Sequence, residues 1–198
     1  AMKCTRPGVI EFQLGAVAEY VYVVNGARGC GYRAIIASGA NIWHAHYFRN
    51  NCVMKAGDLV LMDCAPDVCN YTSDIGRMWP VNGKYSAMQR QLYGFMLKYH
   101  QAYLKLLHAG ALPAKVAADA AKQMKPVVGK TKWIKPCYEA AARRTLEFGG
   151  HLSHMVGMAV HDVGTYRDAP FKEGCVFALD PQMWVPEEQV YIRCEDTV

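Results

Sequence analysis

The stretch LVLMDCAPDVCNYTSD, residues 59–74, contains two aspartates at informative places: Asp63 ends an apolar run, and Asp74 follows eleven residues later. The stretch VFALDPQMWVPEEQVYIRCE, residues 176–195, repeats the arrangement, because Asp180 and Glu195 each end an apolar, strand-like run. Strand-like runs separated by turn residues predict a first hairpin over residues 55–80 and a second hairpin in the stretch 176–195. The sequence therefore places four carboxylates at the ends of strands that should be buried.

These four carboxylates are difficult to explain one at a time. An isolated acid at a strand end is usually a turn former or a surface residue. Several acids on converging hairpins repel one another, and each retains its proton unless a cation is present. The joint pattern therefore indicates a metal site, and oxygen ligands with one or two imidazoles suit manganese, cobalt, zinc or iron.

Histidines stand between the two hairpins in the sequence. The segment GGHLSHMVGMAVHD contains His151, His154 and His161. A single histidine in an apolar run is more often a hydrogen-bonded core residue than a ligand. We predict that residues 152–164 are strand-like, and in an extended strand positions 154 and 161 would face opposite sides. Both reach one cavity only if the chain bends between them, and Gly157 can supply that bend.

The composition is typical of one globular domain. The 198 residues are 52% hydrophobic and 20% charged, which is enough for one sizeable core. No apolar stretch approaches the roughly 18 residues of a membrane span, and no signal segment opens the chain, so we expect a cytoplasmic protein with no membrane partner. The eight cysteines are scattered and include no Cys-x-x-Cys pair, as is typical of reduced thiols. The net charge of +5 comes largely from residues 122–144, and we expect a solvated helix face there and no nucleic-acid partner.

The order of predicted elements repeats along the chain. Apolar spacing and capping signals predict four helices, at residues 10–24, 86–110, 113–124 and 136–148. A carboxylate hairpin follows the first helix, and a second hairpin follows the last. Two such halves would bring the four acids to one centre in a pseudo-symmetric α+β domain.

These motifs resemble the pita-bread metallopeptidases, a family that includes methionine aminopeptidase, aminopeptidase P, prolidase and the related creatinase; the Xaa-Pro peptidases are the most similar branch. LMDCAPDVCNYTSDIGR resembles the D-x-G…GY-x-SD-x-TR hairpin, and SHMVGMAVHDVG resembles the H-x-x-G-x-x-x-HD-x-G element. VYIRCED resembles the I-R-x-E-D ending, and ASGANIWHAHYFRNN resembles the stretch with an active-site histidine. The resemblance implies an α+β pita-bread fold, with pseudo-symmetric halves and a curved antiparallel sheet flanked by helices. We expect a single catalytic domain over residues 1–198, without the family's N-terminal domain and C-terminal tail.

The resemblance also implies a dinuclear site that holds two divalent ions, Mn, Co or Zn. The metal ligands would be Asp63, Asp74, His154, Asp180 and Glu195. His46 and His161 would face the substrate as catalytic residues, and Asp180 would also move a proton. Arg193 would pair with a ligand carboxylate and fix its orientation.

The implied function is that of a metal-dependent exopeptidase, an aminopeptidase or dipeptidase. It would cleave Xaa-Pro bonds with a hydroxide that bridges the two ions. The expected partner is a short peptide with proline in the second position, and the resemblance leaves a homodimer open.

The sequence departs from the family pattern at three positions. Asp180 replaces the usual glutamate and is one methylene shorter, Gly150 replaces a histidine with His151 one place away, and Gly76 replaces a threonine. Two alternatives stay open on the same scaffold: a creatinase-like C–N hydrolase and a non-catalytic interaction module. All five ligand positions keep oxygen or imidazole, which favours the metal enzyme.

Overall fold

The computed structural model describes residues 1–198, which fold into helices packed on short antiparallel sheets. The α-helices are Glu11–Val24 (α1), Ala87–Leu104 (α2), Pro113–Lys130 (α3) and Pro136–Glu147 (α4). The strands are Gly29–Cys30 (β1), Ile35–Ser38 (β2), Leu59–Asp63 (β3), Pro66–Asp67 (β4), Gly76–Pro80 (β5), Leu152–Met155 (β6), Phe177–Leu179 (β7), Gln182–Val185 (β8), Val190–Arg193 (β9) and Asp196–Thr197 (β10). Every strand pair is antiparallel, and the predicted α+β class is confirmed.

All four predicted helices are present; α4 ends one residue before the predicted end, and α2 and α3 each end six residues away from it. Helix α2 begins after the Ser86 cap as predicted and ends at Leu104, six residues before Gly110. Helix α3 continues through Pro126 to Lys130, although the sequence predicts its end at Met124. The buried Val128 side chain holds this last turn against the core, so packing outweighs the backbone hydrogen bond that proline cannot donate.

The first carboxylate hairpin belongs to the three-stranded sheet β2-β3-β5. Strand β3 is buried along its whole length, which explains why it is apolar on both faces. Alternate residues serve different cores: Leu59 and Leu61 join the large core, whereas Val60 and Met62 join a smaller core under α1. A two-residue period of this kind is what a strand imposes on its side chains.

Glu11 anchors helix α1 to this sheet. Its carboxylate is fully buried and accepts hydrogen bonds from Ser38 N at 2.8 Å, Asn41 Nδ2 at 3.0 Å and Cys52 N at 3.0 Å. A buried acid with several donors is satisfied without a cation. The burial of Glu11 therefore needs no cation to explain it.

The second half of the chain contributes the sheet β10-β7-β6 and the hairpin β8-β9. An isolated antiparallel bridge joins Gly76, at the start of β5, to Glu195, just after β9. The backbone hydrogen bonds of this bridge run in both directions, at 3.2 and 3.0 Å. The bridge fixes the two carboxylate hairpins against each other.

The segment 152–164, predicted to be strand-like, is a strand only over Leu152–Met155. Beyond that strand the Asp162 carboxylate accepts hydrogen bonds from Met158 N at 2.7 Å and Val163 N at 2.7 Å. A Cβ atom at Gly157 would lie 2.2 Å from Asp162 Oδ2, so glycine allows this close approach. The local hydrogen bonds of Asp162 replace the strand ladder with a compact turn.

The largest core lies between the helices and the sheets and contains 31 buried residues. Aromatic side chains of α2 dominate its centre, with Tyr99 and Tyr103 both essentially inaccessible to solvent. None of the four helices combines the length and hydropathy that a membrane-spanning helix requires.

Candidate metal centre

Three carboxylates meet where the two hairpins touch. Asp63 ends β3 opposite Gly76 of β5, and the backbone bridge from Gly76 brings in Glu195. Oxygen atoms of Asp63, Asp74 and Glu195 all lie within 4.8 Å of one another, and all three residues are buried. Hairpins that the sequence places more than a hundred residues apart thus supply one compact set of hard ligands.

A single guanidinium group faces these acids. Arg193 Nη1 donates to Asp63 Oδ2 at 2.8 Å, and Arg193 Nε donates to Asp180 Oδ1 at 2.9 Å. Arg193 Nη2 also contacts Glu195 Oε2. One positive charge serves several buried carboxylates, so the cluster is short of cations when all of them are ionised.

The pKa values of the cluster reflect this shortage. Burial raises the pKa of Asp63 to about 6, with Asp74 adding to the rise and Arg193 opposing it. Burial likewise raises the pKa of Glu195 well above its usual range. The pKa of Asp74 is lowered despite its burial, because His154 donates to it and Arg193 lies nearby.

The donor set fits a divalent cation. Glu195 Oε1 is buried and accepts no hydrogen bond, and an unpartnered buried carboxylate oxygen carries a large desolvation cost. A bound cation would remove that cost and the repulsion among the acids together. Asp63, Asp74 and Glu195 are therefore the residues that suit a metal ion here.

Two histidines extend the cluster toward the solvent. His154 Nε2 lies 3.2 Å from Asp74 Oδ2, while its Nδ1 lies 3.1 Å from the Met155 carbonyl oxygen. The His161 ring packs on the His154 ring, with 3.9 Å between centroids. Ligand atoms of Asp74, His154 and His161 form a second group within 4.8 Å. The chain bends at Gly157, so His154 and His161 lie together although they would face opposite sides of a continuous strand.

Asp180 and His151 lie outside both groups. The Asp180 carboxylate is held by Arg193 Nε and, at 3.4 Å, by Gln182 Nε2. His151 is fully buried, and its Nε2 lies 2.8 Å from the Thr145 carbonyl oxygen. Its Nδ1 lies 3.3 Å from Gln182 N, so both ring nitrogens face backbone groups and His151 is a core residue.

Tyr32 is a member of this centre that sequence reasoning missed. Its hydroxyl lies 2.6 Å from Asp63 Oδ1 and 3.0 Å from Asp74 Oδ1. Burial, followed by the charges of Asp63 and Asp74, raises the pKa of Tyr32, so the phenol keeps its proton as a donor. The one sequence signal for this role is that Tyr32 stands just before the apolar run of β2, the strand that pairs with β3 and so lies next to Asp63.

A cavity of about 310 Å³ opens directly onto these residues. Its polar lining includes Asp63, Asp74, Arg193 and His161, and its apolar wall includes Ile35, Phe48 and Val160. His46 is exposed at the same cavity, with its ring centroid 6.4 Å from that of His161. The site combines buried carboxylates, imidazoles and an accessible pocket.

The chain is an α+β domain in which two antiparallel carboxylate hairpins meet beside a histidine-lined cavity. This arrangement is typical of the pita-bread class of metal-dependent hydrolases. The model of metallopeptidase family M24 matches residues 1–198, and the chain belongs to this family. Family membership implies the use of a divalent metal ion.

Known relatives agree with this assignment. The Xaa-Pro aminopeptidase of Escherichia coli K12 is 32% identical over 212 residues, which cover 100% of this chain and 48% of the relative. Human Xaa-Pro aminopeptidase 3 is 30% identical over 194 residues, covering 94% of this chain and 38% of the relative. The chain thus spans about half the length, or less, of the curated relatives it matches.

A solved structure matches the fold closely. Zinc-substituted E. coli aminopeptidase P in complex with product has a TM-score of 0.83 and 32% identity, covering 99% of this chain and 48% of that one. The predicted pita-bread fold and the resemblance to Xaa-Pro peptidases are confirmed.

Proposed function

We propose that this chain is a metal-dependent exopeptidase that holds two divalent ions and cleaves the bond before a proline in the second position of a short peptide. One observation carries the proposal: two groups of three ligands share Asp74 at the base of the cavity. A carboxylate can serve two ions at once, one through each oxygen. Asp74 has one oxygen beside Tyr32 and the other beside His154, so its two oxygens face different partners.

The residues proposed to hold the ions are Asp63, Asp74, Glu195 and His154. Their chemistry admits Mn, Co or Zn. Arg193 and Tyr32 would orient the ligand carboxylates, since each of them contacts two or more of the acids. The family resemblance adds Asp180 to these ligands and turns His161 toward the substrate. In the structure Asp180 lies against Arg193, and His161 lies beside Asp74 and His154.

Two divalent ions, when bound, supply an activated water at neutral pH and polarise the scissile carbonyl group. The chain's own contribution is a set of donors at the cavity. The His46 imidazole is exposed there and can donate to the carbonyl oxygen as negative charge develops on it. Asp63, Asp74 and Glu195 are themselves buried, which limits the access of bulk water to the ligand carboxylates.

The proposed substrate agrees with the cavity and with the relatives. A volume of about 310 Å³ lies at the lower end of the range for ligand sites, roughly 300 to 1,000 Å³, and suits the end of a peptide. Ile35, Phe48 and Val160 offer an apolar wall to a proline ring. The relatives named above are Xaa-Pro aminopeptidases. A cytoplasmic location and a homodimer stay predictions.

A side-by-side assay tests the proposal. The metal-supplemented chain should cleave an Xaa-Pro peptide and leave a Met-Ala peptide largely intact, and mass spectrometry should find about two equivalents of metal. Asp74→Asn keeps the shape of the side chain but removes its charge from both ligand groups. We expect Asp74→Asn to lose bound metal and to lower kcat/KM at least about 100-fold. This decrease exceeds the one typical of substitutions at residues that only support a metal ligand.

Asp119→Asn is the matched control, because Asp119 is a surface carboxylate on α3 that pairs with Lys115. Its activity and metal content should equal those of the unmodified chain. Equal metal content in Asp74→Asn and Asp119→Asn would overturn the proposal.

A further inference from the structure

A second cavity adjoins the one that opens onto the metal centre. It has a volume of about 590 Å³ and shares Arg33, His46 and Phe48 with the first cavity. The rest of its wall includes Arg49 and His44, and no acidic residue lines it. We call this second space the basic cavity. Because the first cavity has carboxylates at its base, the joined cavities present acids at one end and arginines at the other.

Arg33 stands at the junction of the two cavities and is held there by Phe48. Its Nη2 donates to the Phe48 carbonyl oxygen at 2.9 Å, and its guanidinium carbon lies 5.7 Å from the centre of the Phe48 ring. The Phe48 ring in turn stacks on the His46 ring, with 6.1 Å between centroids and 11° between the ring planes. An arginine side chain has five N–H donors, so this single hydrogen bond leaves most of them free for a ligand. A side chain already held in this way loses less conformational entropy on binding.

The arginines of the basic cavity have no anionic partner within the protein. Neither Arg33 nor Arg49 forms a salt bridge, whereas arginines elsewhere in the chain, such as Arg143 and Arg193, do. Two unpaired guanidinium groups beside a cavity without acids favour an anionic ligand. The planar guanidinium group matches the geometry of a carboxylate in particular.

The position of Phe48 indicates which part of a peptide would reach these arginines. Phe48 belongs to the apolar wall that we propose for the proline ring, and it also borders the basic cavity. A peptide with its scissile carbonyl at the metal centre and its proline on this wall directs the next residue toward Arg33. The volume of about 590 Å³ lies within the range of ligand sites, roughly 300 to 1,000 Å³, so the basic cavity can hold a whole residue.

We propose that Arg33 and Arg49 form an anion subsite that binds a carboxylate on the residue after the proline. This carboxylate is either the C-terminal group of a tripeptide or an acidic side chain at the same position of a longer peptide. The inference rests on the proposed function and deepens it, because it selects a class of substrates among Xaa-Pro peptides.

Binding of product peptides tests the subsite without turnover. Pro-Ala is the leaving half of an Xaa-Pro-Ala tripeptide, and it has no proline in its second position to direct cleavage. Isothermal titration of the metal-loaded chain should show Pro-Ala binding at least about 10-fold more tightly than Pro-Ala-amide, because the amide lacks the charge-assisted hydrogen bond to arginine.

The double variant Arg33→Met, Arg49→Met removes both guanidinium groups and keeps unbranched apolar side chains. Its Kd values for Pro-Ala and Pro-Ala-amide should lie within about 3-fold of each other. Its Kd for Pro-Ala-amide should equal that of the unmodified chain. A substitution that merely disturbed the cavity would weaken the binding of both peptides.

Arg90→Met is the matched control. Arg90 also stands over an aromatic ring, that of Tyr85 at 6.0 Å, but it lines neither cavity. This variant should keep the full preference for Pro-Ala.

Pro-Asp-amide identifies the source of the carboxylate, since its acid is on the side chain and its C terminus is neutral. Binding as tight as that of Pro-Ala supports a subsite that accepts acidic side chains. Binding as weak as that of Pro-Ala-amide supports a subsite for the C-terminal carboxylate alone.

The outcomes separate this inference from the proposed function. A smaller preference for Pro-Ala in the unmodified chain, or no binding of Pro-Ala, overturns the inference, as does a preference that survives in the double variant. None of these results affects the proposed metallopeptidase if the chain still cleaves an Xaa-Pro peptide and Asp74→Asn does not. A chain that prefers Pro-Ala through the two arginines but cleaves no Xaa-Pro peptide overturns the proposed function and keeps the anion subsite.

Discussion

The two carboxylate hairpins read alike in sequence but present their acids differently. Each offers an apolar run that ends on an acid and a second acid eleven or more residues later. The first hairpin directs both Asp63 and Asp74 into one ligand group, whereas the second directs only Glu195 there. Asp180, the other acid of the second hairpin, is held by Arg193.

The difference comes from where the positive charge lies. Arg193 stands on β9, between the two acids of the second hairpin in space and two residues before Glu195 in the chain. It pairs with Asp180 locally and reaches Asp63 across the hairpin junction. The first hairpin has no cation of its own in this cluster. Spacing therefore brings the four acids to one centre, and the position of Arg193 decides which of them share a guanidinium: Asp63, Asp180 and Glu195 do, and Asp74 does not.

The largest effect should follow from removing that guanidinium. Arg193→Met leaves Asp63, Asp180 and Glu195 buried without their shared partner, and breaking a buried ion pair typically costs about 3 to 5 kcal/mol. We expect a loss of that size in the free energy of unfolding of the metal-free protein, measured by urea denaturation in EDTA. Added divalent metal should raise the stability of both proteins, because a ligand that binds only the folded state stabilises it.

Arg143→Met provides the comparison for that experiment. Arg143 also pairs with a carboxylate, Glu139, but its side chain is 61% exposed, and surface pairs are worth about 0 to 1 kcal/mol. If the two variants lost similar stability, the buried Arg193 would contribute no more than a surface arginine. It could then not explain the difference between the two hairpins.

A smaller effect should follow at Tyr32, which touches only acids of the first hairpin. Tyr32→Phe removes the hydroxyl between Asp63 and Asp74 while keeping the ring. Loss of such a supporting contact typically weakens metal binding about 10- to 100-fold. Isothermal titration with metal should show this change, and Tyr20→Phe on the exposed face of α1, where Tyr20 is 68% exposed, should show none. An unchanged affinity in Tyr32→Phe would mean that the first hairpin orients its acids through the backbone alone.

Much of this architecture could be predicted from sequence because the signals are local. Apolar runs such as LVLM and the acids at their ends mark buried strands and their termini, and the Ser86 cap marks the start of α2. The turn at Gly157 could also be anticipated, because the spacing of His154 and His161 requires a bend.

The parts that escaped prediction depend on contacts between distant residues. Tyr32 lies 31 residues before Asp63 and 42 before Asp74, and nothing in its neighbourhood indicates a carboxylate partner. The contact between Arg193 and Asp180 depends on the register of the β8–β9 hairpin, in which Arg193 lies opposite Gln182, and neither strand encodes that register alone. Helix α3 passes Pro126 for a similar reason, since the buried Val128 is held by tertiary packing.

The smallest effect concerns His151, which fixes the start of the second hairpin. Its carbonyl oxygen accepts from Asp180 N at 2.8 Å, and its Nδ1 lies 3.3 Å from Gln182 N. Burial lowers the pKa of His151 below its usual value of 6.5, so the folded protein keeps this imidazole neutral. As the pH falls below about 6.5, His151 is protonated in the unfolded chain before it is protonated in the folded chain. The contribution of His151 to the free energy of unfolding is therefore lost at low pH.

The slope of that loss is at most about 1.4 kcal/mol per pH unit for a single group. The raised pKa of Asp63, to about 6, acts in the opposite direction, because the folded chain holds that proton more tightly than the unfolded chain. The His151 contribution therefore has to be isolated as the difference between the unmodified chain and His151→Gln, both measured by urea unfolding at pH 7.5 and 5.5 without metal. The variant should lose less stability than the unmodified chain over this interval. Equal losses would show that His151 takes up a proton in the folded state as readily as in the unfolded state. The imidazole at the start of the second hairpin would then be charged at pH 5.5.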